Sequence, residues 1–319
     1  MMTYLLFFIG FAALIKGADF LVDGASSIAR KLNISDLVIG LTVVAFGTSA
    51  PELFVNIFAS AKGNTAIAIG NVIGSNLVNI LLILGVSAVI IPLNVSGSVV
   101  MKGVPLGFLA VLTMGVLAND KLIEKTGVSA LTRVDGIILL FFFVIFLYYS
   151  FGAARTVTGI DELAPSKRPG IFLSILFVIL GLIGLIVGGQ WIVNGAVSLA
   201  QRIGASQSLI GLTVVAVGTS LPELATSVVA ASKKNVDIAV GNVIGSNIFN
   251  IFFVLGISSI VKPLPWIEGQ NTELGFLVIV SFLLFLFMFS GKRHTIDRWE
   301  GKLFILLYGL YLAFIIFRG

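Results

Sequence analysis

The sequence contains no cysteine and a single histidine, His294, in 319 residues. Disulfide frameworks, thiolate chemistry and zinc clusters are therefore excluded, and so are catalytic centres built around histidine. Charged residues are also scarce, at 11% of the chain, against about 25% in an average soluble domain. Any site in this chain must therefore use oxygen atoms.

What the sequence has in excess is apolar residues, which make up 58% of the chain before its 35 glycines are counted. The mean hydropathy is +1.11. This composition excludes a water-soluble globular protein and predicts an integral membrane protein whose surroundings are the lipid bilayer. The net charge of +5 lies in short loops between apolar stretches, a pattern that reports membrane topology and predicts no nucleic-acid partner.

The apolar stretches are long enough for transmembrane helices, each of which needs about 20 residues. They predict an all-α polytopic membrane protein with ten transmembrane helices. The predicted spans are 3–24, 38–61, 66–91, 103–119, 132–151, 170–190, 208–231, 237–261, 273–290 and 302–317. The first stretch lacks the basic segment that precedes a secretory signal, so we interpret it as a span.

Basic residues are distributed unevenly between the two sides of these spans. Loops after the odd-numbered spans hold 12 lysines and arginines, and the opposite side holds 7. Because basic loops stay in the cytoplasm, we expect both termini outside the cell and the 152–169 segment in the cytoplasm. The chain is then a multi-pass protein of the inner or plasma membrane.

The chain also contains an internal repeat at an offset of 171 residues. Residues 40–56 match 211–227 at 12 of 17 positions, and residues 68–80 match 239–251 at 10 of 13. The repeat divides the chain into a first half (1–151), a polar linker (152–169) and a second half (170–319), with five spans in each half. Because five is odd, the second half is expected to enter from the opposite side, as in the inverted repeats of secondary transporters.

Two glutamates, Glu52 and Glu223, lie well inside apolar stretches, and they occupy equivalent positions in the repeat. An ionised carboxylate at bilayer depth is costly unless it faces a polar cavity or a cation. Their duplication favours a functional site over a carboxylate held only for structure. Two carboxylates together also repel each other, which increases the need for a cation or a proton.

Each glutamate directly follows a proline, Pro51 or Pro222. Proline removes an amide donor and clashes with the carbonyl four residues earlier. We therefore expect the helix to break at Gly47 and Gly218 and to free carbonyl oxygens over 45–47 and 216–218. A simple kink without ligand binding is the alternative.

A second repeated motif, GNVIGSN, occupies residues 70–76 and 241–247 and is followed in each copy by another asparagine. Alone it is compatible with simple helix packing. Together with the glutamate motif it provides carboxylates, hydroxyls, amide oxygens and freed carbonyls, without sulfur or imidazole. Such a set suits hard cations, and calcium tolerates an irregular oxygen cage better than magnesium does. One calcium balances two carboxylates, and sodium could occupy the same oxygens in turn.

At these motifs the chain closely resembles the sodium/calcium exchanger branch of the calcium/cation antiporter superfamily, whose paired repeats have GTSxPE and GNxxGSN patterns. The resemblance covers nearly the whole chain. It implies that spans 2, 3, 7 and 8 form an ion-binding core and that long spans 1 and 6 slide past it. The metal ligands it implies are Glu52, Glu223, Thr48, Thr219, Ser49, Ser220, Ser75, Ser246, Asn79 and Asn250, with the carbonyls of Ala45 and Ala216. Asn71 and Asn242 are expected to tie helices together.

Departures from the family pattern favour a subtype that is coupled to sodium and independent of potassium. Proton-coupled relatives commonly have a glutamate where this chain has Gly74-Ser75 and Gly245-Ser246. Potassium-dependent relatives typically have an aspartate at the position of Asn250. The 152–169 linker is also too short for a calcium-sensing domain.

These observations together predict a prokaryotic antiporter that exchanges calcium for sodium by alternating access, with both ions using one site between the repeats. The alternatives are a calcium/proton antiporter and a passive cation channel. The only conceivable nucleophiles beside a glutamate are Ser49 and Ser220, without a histidine or lysine to activate them, so we expect no enzyme. We also expect no cofactor and no obligatory protein partner.

Overall fold

A computed structural model describes residues 2–95, 97, 99–125, 127–154, 170–202, 216–267, 269–290 and 294–318. Two of the regions interpreted above lie partly outside these residues. They are the linker, from 155 to 169, and the start of the seventh predicted span, from 208 to 215.

The described residues are mostly helical. The first half contains α1 (Met2–Lys31), α2 (Asp36–Thr48), α3 (Ala50–Lys62), α4 (Thr65–Ile90), α5 (Val100–Leu117), α6 (Asp120–Glu124) and α7 (Arg133–Ala154). The second half contains α8 (Ile171–Arg202), α9 (Ala216–Thr219), α10 (Leu221–Ser232), α11 (Val236–Val261), α12 (Gln270–Phe287) and α13 (Arg298–Arg318). Four two-residue strands connect them: β1 (Leu93–Asn94), β2 (Ala130–Leu131), β3 (Leu264–Pro265) and β4 (Thr295–Ile296).

Eight of these helices are long and apolar enough to cross a membrane, and α2 with α3 forms a ninth candidate that is bent by 46°. They correspond to nine of the ten predicted spans. The remaining prediction, 208–231, is described only from residue 216 onward, as α9 and α10. The prediction of a polytopic helical membrane fold is therefore confirmed, while the count of ten stays a prediction.

The longest helices, α1 and α8, pack against each other through small residues. A Cβ atom added to Gly10 would lie 2.8 Å from the carbonyl oxygen of Gly188, and one added to Gly17 would lie 2.8 Å from that of Gly181. Residue numbers rise along one helix and fall along the other at these contacts, so the two helices run antiparallel. Close backbone approach at glycine is a common basis of helix association in membranes.

The last helix of each half packs against the other half. In α13, Gly301 meets Gly85 of α4, where an added Cβ would lie 2.7 Å from the Gly85 carbonyl oxygen. In α7, Gly136 meets Gly256 of α11 with a corresponding distance of 2.6 Å. The two halves are therefore interlocked by an exchange of their fifth helices.

Polar contacts at the helix ends also join one half of the chain to the other. The Arg298 guanidinium donates to the carbonyl of Ile90 at 3.4 Å, and Arg133 donates to that of Ile260 at 3.1 Å. The strands also pair across the halves, β1 with β4 and β2 with β3, both antiparallel. Each arginine thus satisfies a carbonyl at the C-terminal end of a helix from the other half, where intrahelical partners are missing.

The bend in the second span differs from the sequence expectation. We expected the helix to break at Gly47, but it is continuous through Thr48 and breaks at Ser49, where φ is −83° and ψ is 7°. The Ala45 carbonyl accepts bonds from the Ser49 amide at 3.0 Å and the Thr48 hydroxyl at 3.3 Å. The expectation of an unbonded carbonyl at Ala45 was therefore wrong, because the turn before the break keeps its helical hydrogen bond.

The third and eighth spans each contain a wider, π-helical stretch that the sequence analysis did not predict. These stretches are Val78–Leu84 in α4 and Phe249–Leu255 in α11. They begin and end at equivalent positions of the repeat, and each contains the asparagine that follows the GNVIGSN motif. Such stretches frequently mark functional sites.

Candidate cation-binding site

Buried polar side chains converge where the bent second span meets α4, α10 and α11. The helix break places Ser49 immediately before α3, and Ser220 lies at the equivalent point before α10, with φ −88° and ψ 7°. Glu52 and Glu223 then fall in the first turns of α3 and α10. Both glutamates are at most 1% exposed.

Glu52 is surrounded by hydroxyl groups from both halves of the chain. Its Oε1 accepts long hydrogen bonds from Ser75 of its own half and from Ser220 of the other half, each at 3.4 Å. The Ser220 hydroxyl is also within 3.3 Å of the Ser75 hydroxyl. Glu52 Oε2 is buried and has no hydrogen-bond partner among the described residues.

Glu223 has the equivalent surroundings. Its Oε1 accepts a hydrogen bond from Ser49 of the first half at 2.9 Å and one from Ser246 at 3.4 Å. Its Oε2 is also buried and without a hydrogen-bond partner in the described part of the chain. Each carboxylate therefore contacts a serine from the opposite half and keeps one oxygen available.

The electrostatic character of this cluster is negative. In the described part of the chain, ion pairs join Lys16 to Asp19 and Lys233 to Asp19 and Asp23, and none involves Glu52 or Glu223. No group of three or more acidic, histidine or cysteine side chains forms a metal cluster among the described residues. The arrangement is a pair of carboxylates supplemented by neutral oxygens, which suits a hard cation better than a transition metal.

The threonines before the helix breaks also lie at this cluster. Thr48 is fully buried and donates to the Asn242 side-chain oxygen at 3.0 Å, across the halves. Thr219 is half-buried at the end of α9. For Ala216 the structure describes the backbone only, as the first residue of α9.

Asn71 and Asn242 bridge neighbouring helices as expected. The Asn71 amide donates to the side-chain oxygen of Asn56 at 2.7 Å, and the Asn242 amide donates to the Ser227 hydroxyl at 3.0 Å. Asn56 and Ser227 are equivalent positions of the repeat, one helical turn after the glutamates. Sequence reasoning missed this pair, although polar residues at the constant offset were a signal that could have identified it.

Asn79 and Asn250 lie in the π-helical stretches and are each 1% exposed. Their side-chain amide nitrogens donate to Asn247 and Asn76, respectively, at 2.9 and 3.2 Å. Their side-chain oxygens are buried and have no partner among the described residues. Asn76 and Asn247 belong to the repeated GNVIGSN motif, which by itself indicates no role for them.

A family model described as sodium/calcium exchanger protein matches residues 2–152 and 173–317. The chain is 33% identical to the sodium/calcium exchanger MaX1 of Methanosarcina acetivorans over 342 residues, covering 98% of this chain and 97% of that protein. It is also 38% identical to an uncharacterised membrane protein of Methanocaldococcus jannaschii, covering 96% of each.

Among solved structures, the chain is similar to the sodium-calcium exchanger NCX_Mj soaked with sodium and calcium. The TM-score is 0.85 at 36% sequence identity, and the match covers 98% of each chain. The similarity therefore extends over both halves.

Proposed function

Because the chain belongs to the sodium/calcium exchanger family, we propose that it is a secondary antiporter that moves calcium against sodium across the inner or plasma membrane. Calcium and sodium bind in turn at one site between the two halves. The coupling follows from mutually exclusive occupancy, since the same oxygens serve either ion. Energy for calcium movement comes from the sodium gradient.

The observation that carries this proposal is the pair of buried glutamates. Glu52 and Glu223 each receive a hydrogen bond from a serine of the opposite half and retain an oxygen without a partner among the described residues. A buried carboxylate pair without a basic partner is unfavourable unless a cation or proton neutralises it. One calcium ion balances the two charges.

We assign the ligands to both halves of the chain. Glu52 and Glu223 bind calcium, with help from hydroxyl, amide and carbonyl oxygens that also bind sodium. These further ligands are Thr48, Ser49, Ser75, Asn79, Thr219, Ser220, Ser246 and Asn250, with the carbonyls of Ala45 and Ala216. A carbonyl has two lone pairs, and the Thr48 hydroxyl that approaches Ala45 at 3.3 Å also has the Asn242 oxygen at 3.0 Å as an acceptor. When Thr48 donates to Asn242, the Ala45 carbonyl is able to bind an ion while it keeps its helical hydrogen bond.

The proposed architecture has ten transmembrane helices in two inverted five-helix repeats, 1–151 and 170–319, joined by a cytoplasmic linker. The antiparallel packing of α1 on α8 and the reciprocal pairing of β1 with β4 and β2 with β3 support it. In such a fold, alternating access arises when one set of helices moves against the other around a fixed site.

The decisive experiment is calcium uptake into proteoliposomes loaded with sodium, with choline-loaded vesicles as the control. We expect uptake to require internal sodium and to be lost in Glu52→Gln and in Glu223→Gln, because either change removes one of two charges at the site. Ser258→Ala is a matched control, since this buried hydroxyl bonds only a carbonyl of its own helix in the described structure.

Other outcomes would point elsewhere. Uptake driven by a pH gradient without sodium would indicate a calcium/proton antiporter. Uptake that dissipates a calcium gradient without any counter-ion would indicate a channel. Uptake that survives both glutamate substitutions would overturn the site assignment.

A further inference from the structure

Four asparagines of the third and eighth spans, Asn76, Asn79, Asn247 and Asn250, form a series of hydrogen bonds that crosses between the halves. Asn79 Nδ2 donates to Asn247 Oδ1 at 2.9 Å, and Asn250 Nδ2 donates to Asn76 Oδ1 at 3.2 Å. Asn79 and Asn250 are equivalent positions of the repeat, and so are Asn76 and Asn247, so one bond runs from the first half to the second and the other runs from the second to the first. All four side chains are buried, with exposures between 0 and 7%.

One end of this series of hydrogen bonds is a main-chain carbonyl, whose position is set by the backbone. Asn76 Nδ2 donates to the main-chain carbonyl oxygen of Asn247 at 3.3 Å. A main-chain carbonyl only accepts hydrogen bonds, so it holds the amide nitrogen of Asn76 toward itself. The oxygen of Asn76 must then face Asn250.

The orientation of Asn250 follows by the same logic. A carboxamide has an oxygen end and a nitrogen end of nearly the same shape, and the nitrogen end would repel a cation. Because Asn76 offers an oxygen, Asn250 must offer its nitrogen to it. Its own oxygen is then left buried and without a partner among the described residues.

We propose that Asn76 and Asn247 are positioning residues that fix the side-chain oxygens of Asn250 and Asn79 toward the ion. Each asparagine orients a ligand of the other repeat, so neither half-site is complete without the opposite half. This inference rests on the proposed function, because it assigns Asn79 and Asn250 to the ion site. Hydrogen-bonded groups behind a metal ligand commonly set the orientation of that ligand.

The test is a double-mutant cycle read by calorimetric titration of calcium into the purified, full-length protein in detergent. Asn76→Leu removes the acceptor that orients Asn250 and is expected to weaken calcium binding about tenfold. Asn250→Asp removes the need for orientation, because both ends of a carboxylate are oxygens. In the Asn250→Asp background Asn76 Oδ1 would face a carboxylate oxygen, so we expect Asn76→Leu to leave calcium affinity unchanged or to raise it, and not to weaken it.

A purely structural role for Asn76 gives a different result. It would weaken binding by the same factor in both backgrounds, and that outcome would overturn the proposal, as would unchanged binding in Asn76→Leu alone. The matched control is Asn56→Leu, because Asn56 is also fully buried and, among the described residues, bonds within its own half, to Ala68 and Asn71. Its effect is expected to be independent of the residue at position 250.

A second cycle covers the case in which one variant does not fold. Asn247→Leu in the wild-type and Asn79→Asp backgrounds tests the equivalent bond in the opposite direction and has the same expected pattern. Wild-type protein that binds calcium but does not exchange it would contradict the proposed function and leave the cycle valid. Wild-type protein that binds neither calcium nor sodium would overturn both.

Discussion

Serine and threonine hydroxyls supply most of the neutral oxygens around the two buried glutamates. The Ser49 hydroxyl donates to Glu223 at 2.9 Å, and this bond crosses the halves. A hydroxyl has one hydrogen to donate and two lone pairs to offer, so a serine that donates to a carboxylate is also able to contact a cation.

We expect Ser49→Ala to weaken calcium and sodium binding between about twofold and tenfold, because it removes one net hydrogen bond or ion contact. Calorimetric titration of each ion into purified protein measures the change. Ser258→Ala, whose hydroxyl bonds the Val254 carbonyl of its own helix, should leave both affinities unchanged. Unaltered binding in Ser49→Ala would remove Ser49 from the ligand set.

At the scale of single residues, the glutamates were predictable from sequence because charge inside an apolar stretch is conspicuous. The orienting role of Asn76 was not, since it depends on which end of a carboxamide meets the Asn247 carbonyl. That choice is made by a contact between distant parts of the chain. The position of the break at Ser49 was also missed, because proline disturbs the preceding turn without fixing where the helix yields.

At the scale of elements, helix contacts in this fold depend on glycines that admit another backbone. α13 contains a contact glycine, Gly301, and an open one, Gly309, which has nothing within 4 Å of an added Cβ. We expect Gly301→Ala to lower the free energy of unfolding by about 1–3 kcal/mol through overpacking against α4. Gly309→Ala should leave it unchanged or slightly raised, since alanine favours helix.

The measurement is the thermal unfolding midpoint in detergent, followed by intrinsic tryptophan fluorescence, which the three tryptophans provide. Equal midpoints for Gly301→Ala and Gly309→Ala would contradict the close packing of α13 on α4.

The start of α13 has a buried cap that also belongs to this scale. Glu300 is fully buried and accepts bonds from the Ser290 hydroxyl and the Asp297 amide. In α7, Asp135 accepts from the Thr132 amide at 2.7 Å, but that cap is more exposed. We expect Glu300→Ala to lower the free energy of unfolding by about 1–3 kcal/mol and Asp135→Ala to lower it by less. The thermal unfolding midpoint, followed by tryptophan fluorescence, measures both changes. A larger loss in Asp135→Ala would contradict this order.

Apolar patterning predicted the spans to within a few residues at most ends, but it gave no partner for the fifth helix of either half. α7 and α13 are apolar on all sides, so no face is marked as the one that packs. The π-helical stretch that begins at Val78 was equally hidden, because an extra residue in one turn does not alter apolar composition.

At the scale of the whole molecule, the exchange of fifth helices makes the halves interdependent. We expect fragments 1–151 and 170–319 to be unstable when produced separately and to form a complex that purifies through one tag when produced together. Without the other half, α4 would lack its contact with α13, and α11 its contact with α7. A first-half fragment that is stable and monodisperse alone would contradict this expectation.

Membrane orientation is a further prediction at this scale, and the absence of cysteine makes it easy to test. A single cysteine introduced by Asp161→Cys should be inaccessible to an impermeant thiol reagent in intact cells, because we expect the linker to be cytoplasmic. Lys121→Cys, in the short helix α6 that connects two spans on the other predicted side, is exposed in the structure and should react. The reverse pattern would invert the proposed topology.

The exchanged arginine contacts also have a consequence for how the chain is made. Ile90 and Arg298 are separated by 208 residues, which a ribosome adds in roughly 10–40 s. During this interval the Ile90 carbonyl at the end of the third span lacks its donor, because Arg298 has not yet been synthesised. The nascent first half therefore lacks part of its helix packing during synthesis, and we expect its stability in that period to depend on the membrane-insertion machinery.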